Sequence, residues 1–185
     1  MKILLIGDTH GKLDKVRDIY GKLRDIDLIA HTGDHYRDGI QLGKEFNVPV
    51  IAVKGNCDGS CSRDDFEIIE TEAGKVLLTH GHAYNVNYDL TGLMYKAMEE
   101  DCKAVFFGHT HRCMQDEANG IRFINPGSLT QPRDGSGGSY AIVRTSEKGL
   151  EASIVYYDTV MGTSSDRKQN SSGFLRNLLN YCDRF

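Results

Sequence analysis

Residues 2–11 read Lys-Ile-Leu-Leu-Ile-Gly-Asp-Thr-His-Gly. A short apolar run closed by a glycine suits a strand buried on both faces. The residues that follow it, Asp8 and His10, place two metal-competent side chains at the strand's carboxyl end. Residues two apart in a strand point the same way, so this pair is expected to share a face. The same construction recurs along the chain. His31-Thr32-Gly33-Asp34 follows an apolar run at 27–30, and Gly55-Asn56-Cys57-Asp58 follows one at 49–53. His80-Gly81-His82 follows residues 75–79, and Gly108-His109-Thr110-His111 follows residues 104–107. All 7 histidines lie in or next to these motifs, which chance placement would not produce.

The intervening segments set the fold class. Residues 13–23 carry Leu13, Val16, Ile19, Tyr20 and Leu23 at helical spacing, and a weaker helix is expected around 39–46. Strand and helix thus alternate over the first fifty residues, as in a parallel α/β sheet. The pattern then turns strand-rich. Residues 65–71 and 75–79 flank Ala73-Gly74 as a hairpin, and 112–116 and 121–124 flank Asn119-Gly120, a strong hairpin signal. Between them Leu90, Leu93, Met94, Ala97 and Met98 form one helical stripe with Asp89 as its cap, which places both methionines in the core. Strands are also expected at 140–144 and 150–157. One domain spans 1–160. Residues 161–185 read as a polar connector and then an amphipathic helix of Phe174, Leu175, Leu178, Leu179 and Cys182.

Composition narrows the class. A chain of 185 residues buries enough surface to need no disulfide support. The 5 cysteines are odd in number and sparse, which fits a reducing, cytoplasmic setting. Neither a signal peptide nor a membrane span is legible. The net charge of −4 argues against a dedicated nucleic-acid surface.

Asp and His suit borderline divalent metals such as zinc, manganese or iron. Two Asp/His pairs at strand ends, joined by Asp34, Asn56 and His80, make a metal site the expected reading. Taken singly, each residue has a plainer one: Asp8 and Asp34 could cap helices, His80 could be a core histidine, and Asn56 could be a turn residue.

The series GDTHG, HTGD, GNCD, LTHGH and GHTH resembles the calcineurin-like metallophosphoesterase superfamily, and the stretch INPGSLTQPR at 124–133 resembles its small YfcE-like phosphodiesterase branch, to which the non-catalytic VPS29 is related. The resemblance implies a four-layer α/β/β/α sandwich. It further implies two divalent ions, manganese first and zinc, iron(II) or nickel as alternatives. Asp8, His10, Asp34 and His111 would hold one ion. Asp34, Asn56, His80 and His109 would hold the other, with Asp34 bridging. The implied activity is hydrolysis of small phosphate esters, diesters foremost, by attack of a metal-bridging hydroxide. The group's homodimers and higher oligomers are expected by the same resemblance.

Cys57 departs from the wider superfamily, where histidine at this place protonates the leaving oxygen. A thiol is a weak hydrogen-bond donor with an ordinary pKa near ~8.5. The expected consequence is slow turnover of substrates with poor leaving groups. Asp58 is expected to orient residue 57 or a bound water, and His82 to reach a phosphate oxygen. His31 is expected to support Asp34, and Asn125 and Arg133 to edge the pocket. Two further readings of the same chain are a non-catalytic interaction scaffold of the VPS29 kind and a nucleotide phosphatase or nuclease.

Overall fold

The computed structural model of the chain describes residues 1–60 and 64–162. Cys61 and the expected connector and amphipathic helix at 163–185 lie outside the described residues.

Two five-stranded sheets form the body of the molecule. In the first, β1 (Lys2–Ile6) sits at the centre, parallel to β2 (Leu28–His31), which is parallel to β3 (Val50–Ala52). Its other neighbour is β9 (Ser139–Ser146), antiparallel, with β10 (Gly149–Tyr156) at the edge. The second sheet runs in the order β4 (Phe66–Thr71), β5 (Gly74–Thr79), β6 (Cys102–Phe106), β8 (Ile121–Pro126), β7 (Cys113–Ala118). Here β5, β6 and β8 are mutually parallel, and β4 and β7 close the edges as hairpin partners.

The alternation of β1 shows how the layers stack. Ile3 and Leu5 point between the sheets, where they meet Val76, Leu78, Ala104, Phe106 and Ile124 of the second sheet. Leu4 and Ile6 point outward onto α1 (Asp14–Tyr20), α2 (Tyr36–Phe46) and α4 (Tyr157–Met161). The outer face of the second sheet, with Leu77, Val105, Phe107 and Phe123, is covered by α3 (Thr91–Glu99) through Leu93 and Ala97. Helices outside, sheets inside: the α/β/β/α sandwich follows from strands that are apolar on both faces.

Local chemistry matches most of these elements. Asn119 and Gly120 both take positive φ, 54° and 74°, as a two-residue hairpin turn requires. The Asp89 carboxylate accepts the Thr91 N–H at 2.8 Å and so caps α3 as expected. Gly39 brings α2 against β2, since a Cβ there would stand 2.9 Å from that of His31. Three expectations are corrected. Helix α2 begins at Tyr36 rather than residue 39, because the chain turns into it directly from the left-handed His35. The chain after β10 coils into α4, whose Tyr157 is buried against the first sheet's outer face. Met98 is 55% exposed rather than core, since it turns about 100° off the stripe of Ala97.

Phe106 has no exposed surface and fills the space between the sheets. Phe106→Ala is expected to lower the unfolding free energy by about 3–5 kcal/mol, read as a drop in the urea midpoint at unchanged slope.

Candidate metal centre

The parallel strands of both sheets end at one rim, and the polar motifs are the loops that leave them. Loop 7–11 follows β1, 32–35 follows β2, 53–58 follows β3, 80–82 follows β5, 107–111 follows β6 and 127–133 follows β8. Ligand sites outside the carboxyl ends of parallel strands are the general rule for open α/β sheets.

Strand alternation does not align the Asp/His pairs. Both pairs lie beyond the strands, and Asp8, His10, His109 and His111 have φ of 51°, 48°, 70° and 55°. Asp34 takes 51° as well. Asp and His tolerate the left-handed region better than most residues. These loops coil tightly enough to turn successive polar side chains inward. Capping is also excluded as their purpose, since the N-cap positions are Leu13 for α1 and His35 for α2, neither with a side-chain cap bond.

Asp8, His10, Asp34 and His111 bring one ligand atom each within 4.8 Å of one another. The Nε2 atoms of His10 and His111 are 3.4 Å apart, Nε2 of His111 lies 3.5 Å from Asp8 Oδ1, and Nε2 of His10 lies 3.8 Å from Asp34 Oδ2. His111 Nδ1 donates to the Gln131 carbonyl at 2.7 Å, which leaves Nε2 as a lone pair facing the cluster. Asp8 Oδ1 is buried and has no hydrogen-bond partner. A buried acceptor surrounded by further acceptors is costly unless a cation joins them. The donor set therefore fits a divalent ion.

The second set is looser. His80 Nδ1 donates to the Thr32 carbonyl at 2.8 Å, so its Nε2 is again a lone pair. That lone pair faces Asn56 Oδ1 at 3.1 Å and Asp34 Oδ1 at 3.4 Å, three acceptors with no proton among them. Asp34 thus turns one oxygen to each set. The His109 ring lies 5.1 Å from that of His80, and its Nε2 accepts the Asn87 amide N–H at 2.9 Å, which puts the ring proton on Nδ1; ligation through either nitrogen would need that contact or that proton to move. The His82 ring is 5.2 Å from His80 and 6.2 Å from His109, and its Nδ1 is buried without a partner.

Electrostatics agree with this arrangement. Burial, then the neighbouring charge of Asp34, raises the Asp8 pKa well above the ordinary carboxylate range. Burial opposes ionisation of Asp34 too, but His80 and the Cys57 contacts outweigh it and hold this carboxyl low. Burial lowers His10, His109 and His111, and takes His80 down to about 4, so the imidazoles are neutral and able to ligate. Desolvation, then the Asp34 carboxylate, pushes the Cys57 thiol up to about 11.

The remaining candidates fall into place around these sets. Asp58 acts on residue 57 through the backbone: its oxygens accept the N–H groups of Tyr36 at 3.0 Å and Gly55 at 2.7 Å, pinning the loop that carries Asn56 and Cys57. Cys57 is exposed, and its N–H donates to Asp34 Oδ1 at 2.8 Å. His31 is fully buried behind Asp34. The His35 ring lies beside that of His10, tilted at 60° with centroids 5.4 Å apart. Asn125 is buried and bonded to the Gly108 carbonyl, the Thr110 hydroxyl and the Gly127 N–H, so it supports the rim rather than lining it. The Arg133 side chain is exposed, and its charge acts on Asp8, His10, His109 and His111. Residue-by-residue reading of the motifs does not find Asn87, Ser128 and Thr130. The two hydroxyls of the last pair hold the Asp8 carbonyl at 2.9 and 3.0 Å.

Residues 1–148 match the family model of the calcineurin-like phosphoesterase superfamily domain. The chain is 31% identical over 159 residues to "Probable metallophosphoesterase YsnB" of Bacillus subtilis, covering 85% of this chain and 91% of that protein. It is 30% identical over 146 residues to the phosphodiesterase MJ0936 of Methanocaldococcus jannaschii, covering 69% and 83%. Among solved structures, a Streptococcus pneumoniae protein described as a predicted phosphoesterase superposes with a TM-score of 0.72 at 28% identity, covering 85% and 90%. VPS29 of Entamoeba histolytica, solved with zinc, superposes with a TM-score of 0.69 at 22% identity, covering 85% and 99%, a likeness of fold. This chain belongs to the calcineurin-like phosphoesterase superfamily.

Two outcomes follow for the stripped and loaded protein. A Cβ at Gly55 would collide with Asp34 Oδ1, so Gly55→Ala is expected to reduce metal uptake on dialysis while the far-ultraviolet spectrum is kept. Because the folded-state pKa of Asp8 is raised, its contribution to stability is lost as pH rises above the unfolded value near ~4. In chelator, Asp8→Asn should therefore melt above wild type at pH 7–8, and the gap should close toward pH 4. Divalent ions should raise the wild-type melting temperature and leave the variant little changed.

Proposed function

We propose that this chain is a metal-dependent phosphodiesterase acting on small phosphate esters through a two-ion centre. The observation that carries the reading is the convergence of ligand atoms from Asp8, His10, Asp34 and His111, and again from Asp34, Asn56 and His80, on one shared carboxylate. When bound, divalent ions supply a water of lowered pKa and charge stabilisation at the phosphoryl group. The mixed carboxylate, amide and imidazole set suits manganese, with zinc, iron(II) and nickel as competitors. The phosphodiesterase named among the relatives favours diesters.

The chain's own residues supply the rest. His82 and the exposed Arg133 stand at the rim, where a phosphate oxygen would lie. Charge-assisted bonds of this kind contribute about 1.5–3 kcal/mol. Cys57 keeps its proton at neutral pH, with a pKa of about 11, and is a poor source of it. Substrates whose leaving group needs no proton are therefore favoured. A non-catalytic scaffold can lose ligand side chains without penalty, and in this chain all seven ligand positions carry donor atoms.

The test is a metal-reconstituted assay of phosphomonoester and phosphodiester panels. Diesters should be preferred, and activity should vanish with chelator and with Asp34→Ala. Activity surviving both would overturn the proposal. Cys57→His should raise kcat on alkyl diesters, toward the ~10²–10⁴-fold range of general-acid help, at unchanged metal content. An equal or lower kcat would remove the leaving-group argument.

A further inference from the structure

Behind the first ligand set lies a buried chain of hydrogen bonds that no part of the proposed chemistry uses. The Gly33 N–H donates to His31 Nδ1 at 3.2 Å. This fixes the tautomer, so His31 Nε2 carries the proton and donates it to Thr9 Oγ1 at 3.1 Å. The Thr9 hydroxyl in turn donates to Asp38 Oδ2 at 2.7 Å, and the same oxygen accepts the Gly11 N–H at 2.8 Å. Every donor has one direction open to it, and the chain ends on a carboxylate. Thr9 and His31 have no exposed surface, and Asp38 is 9% exposed. Burial takes the His31 pKa down to about 4, which keeps the ring neutral and the direction fixed.

The connectivity is specific. His31 and Gly33 lead to Asp34. Thr9 lies between Asp8 and His10, and Gly11 closes their loop. Asp38 sits on α2. The backbone adds one tie between these loops, Asp8 N–H to the Gly33 carbonyl at 3.0 Å. Thr9 is held from the far side as well, where its carbonyl accepts the Thr130 hydroxyl at 3.1 Å. None of the hydrogen bonds of Thr9, His31 or Asp38 reaches Asn56, His80 or His109.

We infer that Thr9 is a positioning residue. Its hydroxyl fixes the span between the loop of Asp8 and His10 and the loop of Asp34, and so sets the affinity of the Asp8–His10–Asp34–His111 set for its ion more than that of the second set, which shares only Asp34 with it. The inference rests on the two-ion reading above. Supporting partners of metal ligands typically contribute 10–100-fold to metal affinity. Losing the hydroxyl also strands the His31 N–H and leaves Asp38 Oδ2 with the Gly11 N–H.

The experiment is isothermal titration of the metal-stripped full chain with Mn²⁺, for wild type, Thr9→Val, Thr9→Ser and Asp38→Asn. Wild type should show two binding events. Thr9→Val should weaken one by about 10–100-fold and leave the other in place. Thr9→Ser, which keeps the hydroxyl, should restore both. Asp38→Asn, whose amide oxygen can accept from both donors but more weakly than the carboxylate, should fall between, and it carries the test if Thr9→Val does not fold. Thr9→Val titrating like wild type would overturn the inference. So would an equal loss at both events that serine does not rescue, which marks a general structural role. A wild type that binds a single ion, or none, overturns the two-ion reading itself and this inference with it.

Discussion

Asp8 and Asp34 stand close together, desolvated, in a ring of imidazole lone pairs. Burial and mutual charge lift Asp8, His80 resists protonation, and Asp8 Oδ1 has no partner at all. Without a cation this arrangement of buried polar groups is costly, and the surrounding structure holds it in place. The left-handed backbone at Asp8, His10, Asp34, His109 and His111 adds to the cost, since such conformations are sparsely populated by residues other than glycine. A protein that keeps so many unfavourable choices at one rim must recover the free energy elsewhere.

It recovers it in three apolar layers. The inner layer of Ile3, Leu5, Leu78, Phe106 and Val143 fixes the two sheets face to face, and the outer layers tie helices to each. This packing brings the carboxyl ends of β1, β2 and β3 beside those of β5, β6 and β8, so that loops distant in sequence meet. His10 and His111 are 101 residues apart and their Nε2 atoms 3.4 Å apart. The rigid body is thus the reason that the loops can be strained, and the loops are the reason that the sheets must not slip in register.

Much of this was legible in sequence because glycine and ligand follow each apolar run. Gly7-Asp8, Gly33-Asp34, Gly55-Asn56 and Gly108-His109 mark the strand ends whatever the register. The reason that Asp8 and His10 converge was not legible: strand alternation suggested a shared face, while the backbone leaves the strand at Ile6 and coils left-handed. Asp58 looked like part of the chemistry because it follows Cys57, yet its oxygens are spent on two backbone N–H groups. Thr9, Ser128 and Thr130 lie inside the quoted motifs and Asp38 and Asn87 outside them, but the roles of all five come from tertiary neighbours that the sequence does not show. Met98 follows the expected stripe in sequence and still faces outward, because it lies one residue, about 100°, beyond the buried Ala97.

The central claim is that Asp34 joins two ligand sets into one two-ion centre. Electron paramagnetic resonance of the stripped protein, titrated with Mn²⁺, tests it most directly. The account predicts uptake of two ions per chain and, at two equivalents, the broadened multiline spectrum of a coupled pair, replaced in Asp34→Ala by the signal of isolated ions. A saturating single equivalent, or two ions that remain uncoupled in the wild type, would contradict it.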